Sequence, residues 1–243
     1  MTIDLRKKAN IDYLLVFLLA AVSGMPFFGG DIPLLGAFGL TFLVFILRKD
    51  GFHRFYFLIL FSFVILVLLH SLRFNYFPKN TYIGLLVKIS LGYLVVATVN
   101  KDFIRYYVNM IVFFSVISFF FFIPLLISDS FDNLFNAVGF APPFEPGSRK
   151  SLILYQLNLD RPGGLYRNCG PFWEPAAFGG FLLLALMFNI TRVPNLKNRQ
   201  NLILMITAVS TLSTTVFVLL ATLLFFYFFF NLMFLVNLVT VTM

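Results

Sequence analysis

The chain alternates long apolar runs with short polar segments. Six predominantly apolar runs approach the roughly 20 residues that an α-helix needs to cross the hydrocarbon of a bilayer. Beyond Arg199 no charged residue occurs before Met243, and these 44 residues predict two more helices, broken in the Ser/Thr-rich segment 210–215. The pattern therefore predicts seven to eight transmembrane helices, and eight is the better fit. The six earlier runs are Ile11–Phe28, Ile32–Leu47, Phe55–Ser71, Tyr82–Val99, Tyr107–Ser128 and Pro175–Thr191.

The composition points to the same class of protein. Hydrophobic residues make up 60% of the chain and charged residues 12%, whereas soluble domains are about one-quarter charged. So few charged side chains cannot cover a water-soluble surface, which excludes a soluble globular domain, a disordered chain and a coiled coil. We expect an all-α, polytopic integral membrane protein in which residues 1–243 form a single transmembrane domain. The lone Cys169 excludes an intramolecular disulfide.

Basic residues are distributed unequally between alternate loops. Loops on the N-terminal side carry eleven Lys and Arg, whereas the short opposite loops carry only Arg73 and Lys79. Because basic loops remain in the cytoplasm, we expect a cytoplasmic N-terminus and an external segment 129–174. The net charge of +8 is spread over these loops rather than gathered on one face, so we expect no nucleic-acid partner. The eleven are Arg6, Lys7, Lys8, Arg48, Lys49, Arg54, Lys101, Arg105, Arg192, Lys197 and Arg199.

The first apolar run has a second interpretation. Arg6–Lys8, the apolar stretch after it and Ala21-Val22-Ser23 together also fit a signal peptide with a weak cleavage site. Since the run stays apolar through Phe28, we favour an uncleaved helix.

The external segment 129–174 is far longer than any other connection, and connections of this length are usually functional or disordered. Phe131, Leu134, Phe135 and Val138 share one face of a helix. Asp129 or Ser130 fits the start of that helix, and the Pro-rich segment 141–147 breaks it. We expect a short helix on the outer membrane face, serving either as a packing plug or as a substrate-binding lid.

The end of this segment carries the candidate chemistry. Pro175 suits the first position of a helix, Glu174 is well placed against the helix dipole, and Trp173 suits the headgroup level. A well-formed interfacial helix start therefore accounts for these three residues. It does not account for Arg167, whose planar guanidinium suits bidentate phosphate contacts beside a helix N-terminus that attracts anions.

Other basic side chains fall at or near the predicted outer helix ends, and with Arg167 they would form a positive site for a lipid-linked phosphate or pyrophosphate. Each also has a plain structural interpretation. His70 and Arg73 fit as markers of the interface, and Lys88 can extend outward from about two turns inside its span. The other basic side chains are His70, Arg73, Lys79 and Lys88.

Residues 167–182, with the sequence RNCGPFWEPAAFGGFL, resemble the signature of bacterial O-antigen polymerases and ligases. In that family an Arg-Asn pair, a glycine and Trp-Glu-Pro lead directly into a helix. Leu212-Ser213-Thr214-Thr215 is similar to the family's Ser/Thr-rich break between two helices. Trp-Glu-Pro favours the polymerase branch over the ligase branch. The expected topology, with one long periplasmic loop before the signature, agrees over the whole chain.

The resemblance implies a glycosyltransferase of the bacterial inner membrane that extends undecaprenyl-pyrophosphate-linked glycans at the periplasmic face. No cofactor or metal is implied. Arg167 and Glu174 would be the catalytic residues, with Arg167 neutralising the pyrophosphate and Glu174 orienting Arg167 or activating the acceptor hydroxyl. Arg161 and Lys88 would be further pyrophosphate contacts. Membrane lipid, and a chain-length regulator or other envelope assembly proteins, would be partners.

The chain departs from that family at its C-terminus. Family members continue after the Ser/Thr break with more helices and a further periplasmic loop that carries a second basic residue. We therefore expect either a fragment of a working enzyme or a truncated and inactive copy.

Two other functions stay open. A transporter or flippase of lipid-linked sugars would be expected to show internal repeats and polar groups at mid-membrane, and neither is evident in the sequence. A non-catalytic component that binds envelope proteins would suit the 35 Phe residues, but lipid contact suits them equally.

Overall fold

The structure, a computed structural model, describes residues 5–140, 149–158 and 164–241, without side-chain detail at 5–7, 129, 149, 158 and 230–241. The described residues are predominantly α-helical, as expected, with one small β-hairpin. They divide into two compact units, Met1–Tyr106 and Tyr107–Met243, which are considered separately. The helices are α1 (Leu5–Gly24), α2 (Asp31–Leu47), α3 (Arg54–Phe74), α4 (Lys79–Val99), α5 (Phe103–Ile127), α6 (Asp129–Val138), α7 (Pro175–Arg192), α8 (Arg199–Ser210) and α9 (Thr214–Val241), and the strands are β1 (Arg149–Leu152) and β2 (Tyr155–Asn158).

Each apolar run of the sequence forms a helix, and the last 44 residues form two. α8 ends at Ser210 and α9 begins at Thr214, so the predicted break in the Ser/Thr-rich segment is confirmed. Short 3-10 turns, Pro26–Phe28 and Asn100–Asp102, separate α1 from α2 and α4 from α5.

Three helical segments in the described part of the chain are long and apolar enough to cross a membrane. The second of them, Lys79–Ile127, has 49 residues and contains α4, a 3-10 turn and α5. α2 is equally apolar but has only 17 residues, or about 26 Å at 1.5 Å per residue, which is shorter than a hydrocarbon core. The expected number of seven to eight spans therefore stays a prediction. The three segments are Arg54–Phe74, Lys79–Ile127 and Pro175–Arg192.

α3 exposes the most extensively apolar surface that the structure describes in detail. Its most apolar stretch has a mean hydropathy of 2.5, and none of that stretch is buried within the protein. Phe61, Leu66 and Leu69 are each more than half exposed. A helix that is apolar on all sides and unburied matches a lipid environment.

In the first unit α2 packs against α4, and α1 contacts both. Arg48, which follows the last residue of α2, forms an ion pair with Asp12 of α1 at 2.6 Å and donates to the Thr98 carbonyl of α4 at 3.0 Å. The beginning of α1 and the ends of α2 and α4 therefore meet at one end of this unit.

In the second unit α7 packs against α8 and α9. The approach of α7 to α9 depends on Gly179, because a Cβ there would lie 2.0 Å from a methyl group of Val216. Next to it in the chain, a Cβ on Gly180 would meet no atom within 4 Å. Asn189 of α7 and Asn201 of α8, both fully buried, are joined by a 2.8 Å side-chain hydrogen bond.

The predicted helix of the external segment is present as α6, but its N-cap is Ser128 rather than Asp129 or Ser130. The Ser128 hydroxyl accepts a hydrogen bond from the Ser130 N–H at 3.2 Å, because Ser128 is the last residue with extended backbone angles. Phe135 of α6 packs with Phe122, Leu125, Tyr155 and Leu157 in a small core. The Pro-rich segment 141–147 lies outside the described residues.

The antiparallel pair of β1 and β2 was not predicted from the sequence. Its turn is Ile153-Leu154, and neither residue belongs to the Gly and Asn types that signal a hairpin.

Candidate functional site

The break between α8 and α9 forms one side of the candidate site. Leu212, just after α8, has a φ of +47°, a left-handed conformation that reverses the chain at the cost of some strain. The hydroxyl groups of Ser210 and Thr211 donate back to the carbonyls of Thr207 and Ala208, each at 2.7 Å. The Ser/Thr-rich composition therefore satisfies carbonyl groups that the end of a helix leaves unpaired.

Asn168 attaches the segment before α7 to this break. It is fully buried, and its backbone N–H donates to the Ser210 carbonyl at 3.1 Å. Its side-chain amide donates to the hydroxyls of Ser118 at 2.9 Å and Ser210 at 3.0 Å. Its side-chain oxygen accepts the Gly170 N–H at 3.0 Å. Every donor of Asn168 is thus used, which makes it the connection between α5, α8 and this segment.

Gly170 makes that attachment sterically possible. Its φ is +53°, and a Cβ on it would lie 2.7 to 2.9 Å from the ring of Phe178. Its carbonyl accepts the Gln156 N–H of β2 at 2.7 Å. A residue with a side chain would therefore be strained in its backbone and would also collide with α7.

Arg167 is half-buried and lies beside the end of α8. Its Nε donates to the Thr211 carbonyl at 3.2 Å, and a cation there is favourable because the C-terminal end of a helix carries partial negative charge. Its two terminal nitrogens make no hydrogen bond or ion pair with any described residue. The guanidinium is therefore positioned through Nε, and its outer fork is left to bind another group.

Glu174 is the N-cap residue of α7, and Pro175 is the first helical residue, as predicted. The Glu174 carbonyl accepts the Phe178 N–H at 3.1 Å, while its half-buried carboxylate makes no capping bond. Within the described chain, no ion pair or hydrogen bond joins this carboxylate to Arg167. The role of Glu174 in orienting Arg167 stays a prediction, and the contact that the structure gives for the Arg167 side chain is with the Thr211 carbonyl.

The hairpin supplies a rigid support behind this segment. Tyr155 of β2 is buried among Phe121 and Phe135. Burial raises the pKa of its hydroxyl well above the ordinary value, because removal from water penalises the charged form. Tyr155 therefore stays protonated around neutral pH and is a structural side chain rather than a base.

The remaining predicted site residues lie in the first unit or outside the described residues. Lys88 is an exposed side chain of α4 in the first unit, so its proximity to Arg167 stays a prediction. Arg161 lies outside the described residues. In the first unit His70 is hydrogen-bonded to the Tyr82 hydroxyl at 2.5 Å, and Arg73 lies over the Phe74 ring. The role of His70 and Arg73, as markers of the interface or as phosphate contacts, stays a prediction.

Sequence reasoning passed over the residues that hold Arg167 in place. Asn168 and Gly170 were quoted only as parts of a motif, and Ser118 was not noticed. Ser115 and Ser118 are buried polar residues within the apolar helix α5, and a polar residue in such a helix commonly bonds to a neighbouring segment. The polar serines of α5 are visible in the sequence, but the sequence does not show that Asn168, 50 residues away, is the partner of Ser118.

Two further findings concern the possible chemistry. In the part of the chain that the structure describes, no three His, Cys, Asp or Glu side chains lie close enough together to hold a metal ion. No model of a known protein family, no curated protein and no solved structure matches the chain.

Proposed function

We propose that this protein is a membrane-embedded glycosyltransferase of the O-antigen polymerase type. It would extend undecaprenyl-pyrophosphate-linked glycans at the periplasmic face of a bacterial inner membrane. One observation carries this proposal. The Arg167-Asn168 pair, one part of the resemblance, is hydrogen-bonded across more than 40 residues to Ser210 and Thr211. These two residues directly precede Leu212–Thr215, the second part of the resemblance. Chance similarity in two unrelated segments gives no reason for such contacts.

The membrane part of the proposal rests on the helices. Among the described residues, three segments are long and apolar enough to span a bilayer, and we propose seven to eight spans in total, with the N-terminus in the cytoplasm. The meeting of Lys8, Arg48 and Lys101 around one cleft of the first unit supports a single basic side. Basic ends of this kind face the cytoplasm.

Arg167 would act on the leaving group. In the reaction an acceptor sugar hydroxyl attacks the anomeric carbon of the donor glycan, and the bond from that carbon to the pyrophosphate oxygen breaks. The leaving pyrophosphate keeps the electron pair and gains negative charge. A guanidinium already fixed through Nε can stabilise that charge with its outer fork without first having to be ordered.

Glu174 would act on the acceptor. Its carboxylate makes no capping bond and lies at the N-terminus of α7, where it can accept the proton that the attacking hydroxyl loses. Arg161 and Lys88 remain candidate contacts to the pyrophosphate, and a chain-length regulator or other envelope assembly protein a candidate partner.

The test compares Arg167, in the segment before α7, with Arg192, in the last turn of α7. We expect Arg167→Ala to abolish extension of lipid-linked repeat units in membranes that contain the full chain, and Arg167→Lys to restore little, because lysine lacks the planar fork. Arg192→Ala, in the last turn of α7, is the matched control and should extend glycans normally. Equal extension by wild type and Arg167→Ala would overturn the proposal, as would no extension by the unsubstituted chain.

The same assay separates the alternatives. A ligase would transfer finished glycans to a different lipid acceptor instead of lengthening them on undecaprenyl pyrophosphate. A transporter or flippase would move lipid-linked sugars across sealed vesicles without forming a new glycosidic bond.

A further inference from the structure

The basic end of the first unit contains a cleft that the proposed glycosyl transfer does not use. Its volume is about 400 Å³, within the range of small-molecule sites. It lies where α1 begins and where α2 and α4 end. Its charged and hydroxyl-bearing lining residues are Lys8, Arg48, Asp50, Thr98, Lys101 and Asp102.

Arg48 is held in a fixed position at this cleft. Its Nη1 donates both to the Asp12 carboxylate at 2.6 Å and to the Thr98 carbonyl at 3.0 Å. The side chain of Asp12 is 3% exposed and that of Arg48 is 12% exposed. The guanidinium is therefore ordered before any ligand arrives, which lowers the entropic cost of binding.

Three buried polar atoms around the cleft have no hydrogen-bond partner among the described residues. They are Nη2 of Arg48, Oδ2 of Asp50 and Oγ1 of Thr98, and Thr98 is only 6% exposed. Folded proteins pair nearly all such atoms, because a buried polar atom without a partner loses its hydrogen bond to water and gains none in return. Each of the three atoms is shielded from solvent, so together they form an incompletely paired polar layer behind the surface of the cleft.

The charges define what this cleft would bind. Arg48 is paired with Asp12, and Asp102 is paired with Arg105 at 3.3 Å. The ammonium groups of Lys8 and Lys101 and the carboxylate of Asp50 remain. Two ammonium groups favour an anion, whereas Asp50 requires a hydrogen-bond donor on the same ligand.

We propose that this cleft binds a phosphate ester that also carries a hydroxyl or ammonium group. The phosphate would contact the ammonium groups of Lys8 and Lys101 in charge-assisted hydrogen bonds. The hydroxyl or ammonium group would donate to Asp50. Phospholipid head groups with glycerol or ethanolamine, and soluble glycerol phosphate, share this chemistry.

Binding to the purified full chain in detergent tests the proposal, with short-chain phosphatidylglycerol, phosphatidylethanolamine and phosphatidylcholine, glycerol phosphate and inorganic phosphate as probes. We expect the phosphatidylglycerol and phosphatidylethanolamine lipids to bind about ten-fold more tightly than phosphatidylcholine, which has no donor for Asp50. Glycerol phosphate binding as tightly as the lipids would identify a soluble ligand of the same chemistry. If phosphatidylcholine binds as tightly as the lipids whose head groups carry a hydrogen-bond donor, the proposal is overturned.

Substitutions then locate the ligand. Lys101→Gln should weaken binding of every phosphate ester about ten-fold, and Asp50→Asn should remove the preference for lipids that carry a donor. Lys49→Gln is the matched control, since Lys49 lies between Arg48 and Asp50 in the chain but is exposed and does not line the cleft. Equal loss in Lys49→Gln and Lys101→Gln would show attraction by surface charge alone and would overturn the proposal.

Discussion

In the described part of each unit a buried polar cluster ties helix ends together, and the two clusters use opposite chemistry. In the first unit a charged pair, Asp12 with Arg48, joins α1 to α2 and α4. In the second unit a neutral amide, Asn168, joins α5 and α8 to the segment before α7.

The difference lies in what each cluster leaves unpaired. The hydrogen-bond donors of Asn168 are all used, and its side-chain oxygen is occupied by the Gly170 N–H. The pair of Asp12 and Arg48 leaves Nη2 of Arg48 without a partner in the described chain, beside a cleft. A neutral cluster whose hydrogen-bonding groups are all paired holds the segment before α7 in place. The charged Arg167 lies beside this cluster and is not part of it. A partly used charged cluster retains binding capacity.

The largest effect is expected from breaking the charged pair. Asp12→Ala leaves the Arg48 guanidinium buried without its counter-charge, which should lower the free energy of unfolding by about 3 to 5 kcal/mol. The unfolding of purified protein in detergent measures this loss. The double variant Asp12→Ala with Arg48→Met removes both charges and should recover most of it. A single variant as stable as wild type would show that this cluster does not depend on charge.

A smaller effect is expected from changing the shape around the neutral cluster. Gly170→Ala adds left-handed backbone strain and a methyl group within 3 Å of the Phe178 ring, together costing about 3 kcal/mol. Gly164→Ala is the matched control, because Gly164 also has a positive φ of +75° but nothing within 4 Å of its added Cβ. Thermal unfolding of both variants isolates the steric contribution. Equal losses would attribute the effect to backbone strain alone.

The smallest effect is expected from removing the amide itself. Asn168→Ala leaves the buried Gly170 N–H without its acceptor, while the hydroxyls of Ser118 and Ser210 keep their own backbone acceptors. We expect a loss of about 2 kcal/mol. Because Arg167 precedes Asn168, glycan extension should fall together with stability. Asn133→Ala, at an exposed position of α6, should change neither. If the Asn168→Ala variant extends glycans as well as the wild type does, the activity of Arg167 does not depend on the hydrogen bonds of Asn168.

The helices and their approximate limits could be predicted from the sequence, because an apolar run of this length has few alternatives to a helix. The break in the last 44 residues, α6 and the start of α7 at Pro175 were all predicted and are present. The hairpin was missed because its turn residues, Ile153 and Leu154, carry no turn signal. The cap of α6 was misplaced by one or two residues, since Ser128, Asp129 and Ser130 are all of types that favour a helix N-cap.

The candidate site was predicted in part. Arg167 was selected because its charge and position lacked a plain explanation, and the structure shows it attached to the end of α8. An ion pair with Glu174 is not formed in the described structure. The roles of Asn168 and Ser118 could not be found, because a polar residue in sequence does not disclose which of many distant groups it will pair with.

The sequence by itself determined that this chain is all-α and apolar, with helices separated by short polar loops, because those properties depend on local composition and on the hydrophobic effect. Only the tertiary structure decided which polar groups meet. The attachment of Arg167 to Thr211, the saturation of Asn168 and the cleft beside Arg48 depend on contacts between residues more than 30 positions apart. Hydrogen bonds and ion pairs act only over short distances and in defined directions, so the packing of the helices selects among many possible partners.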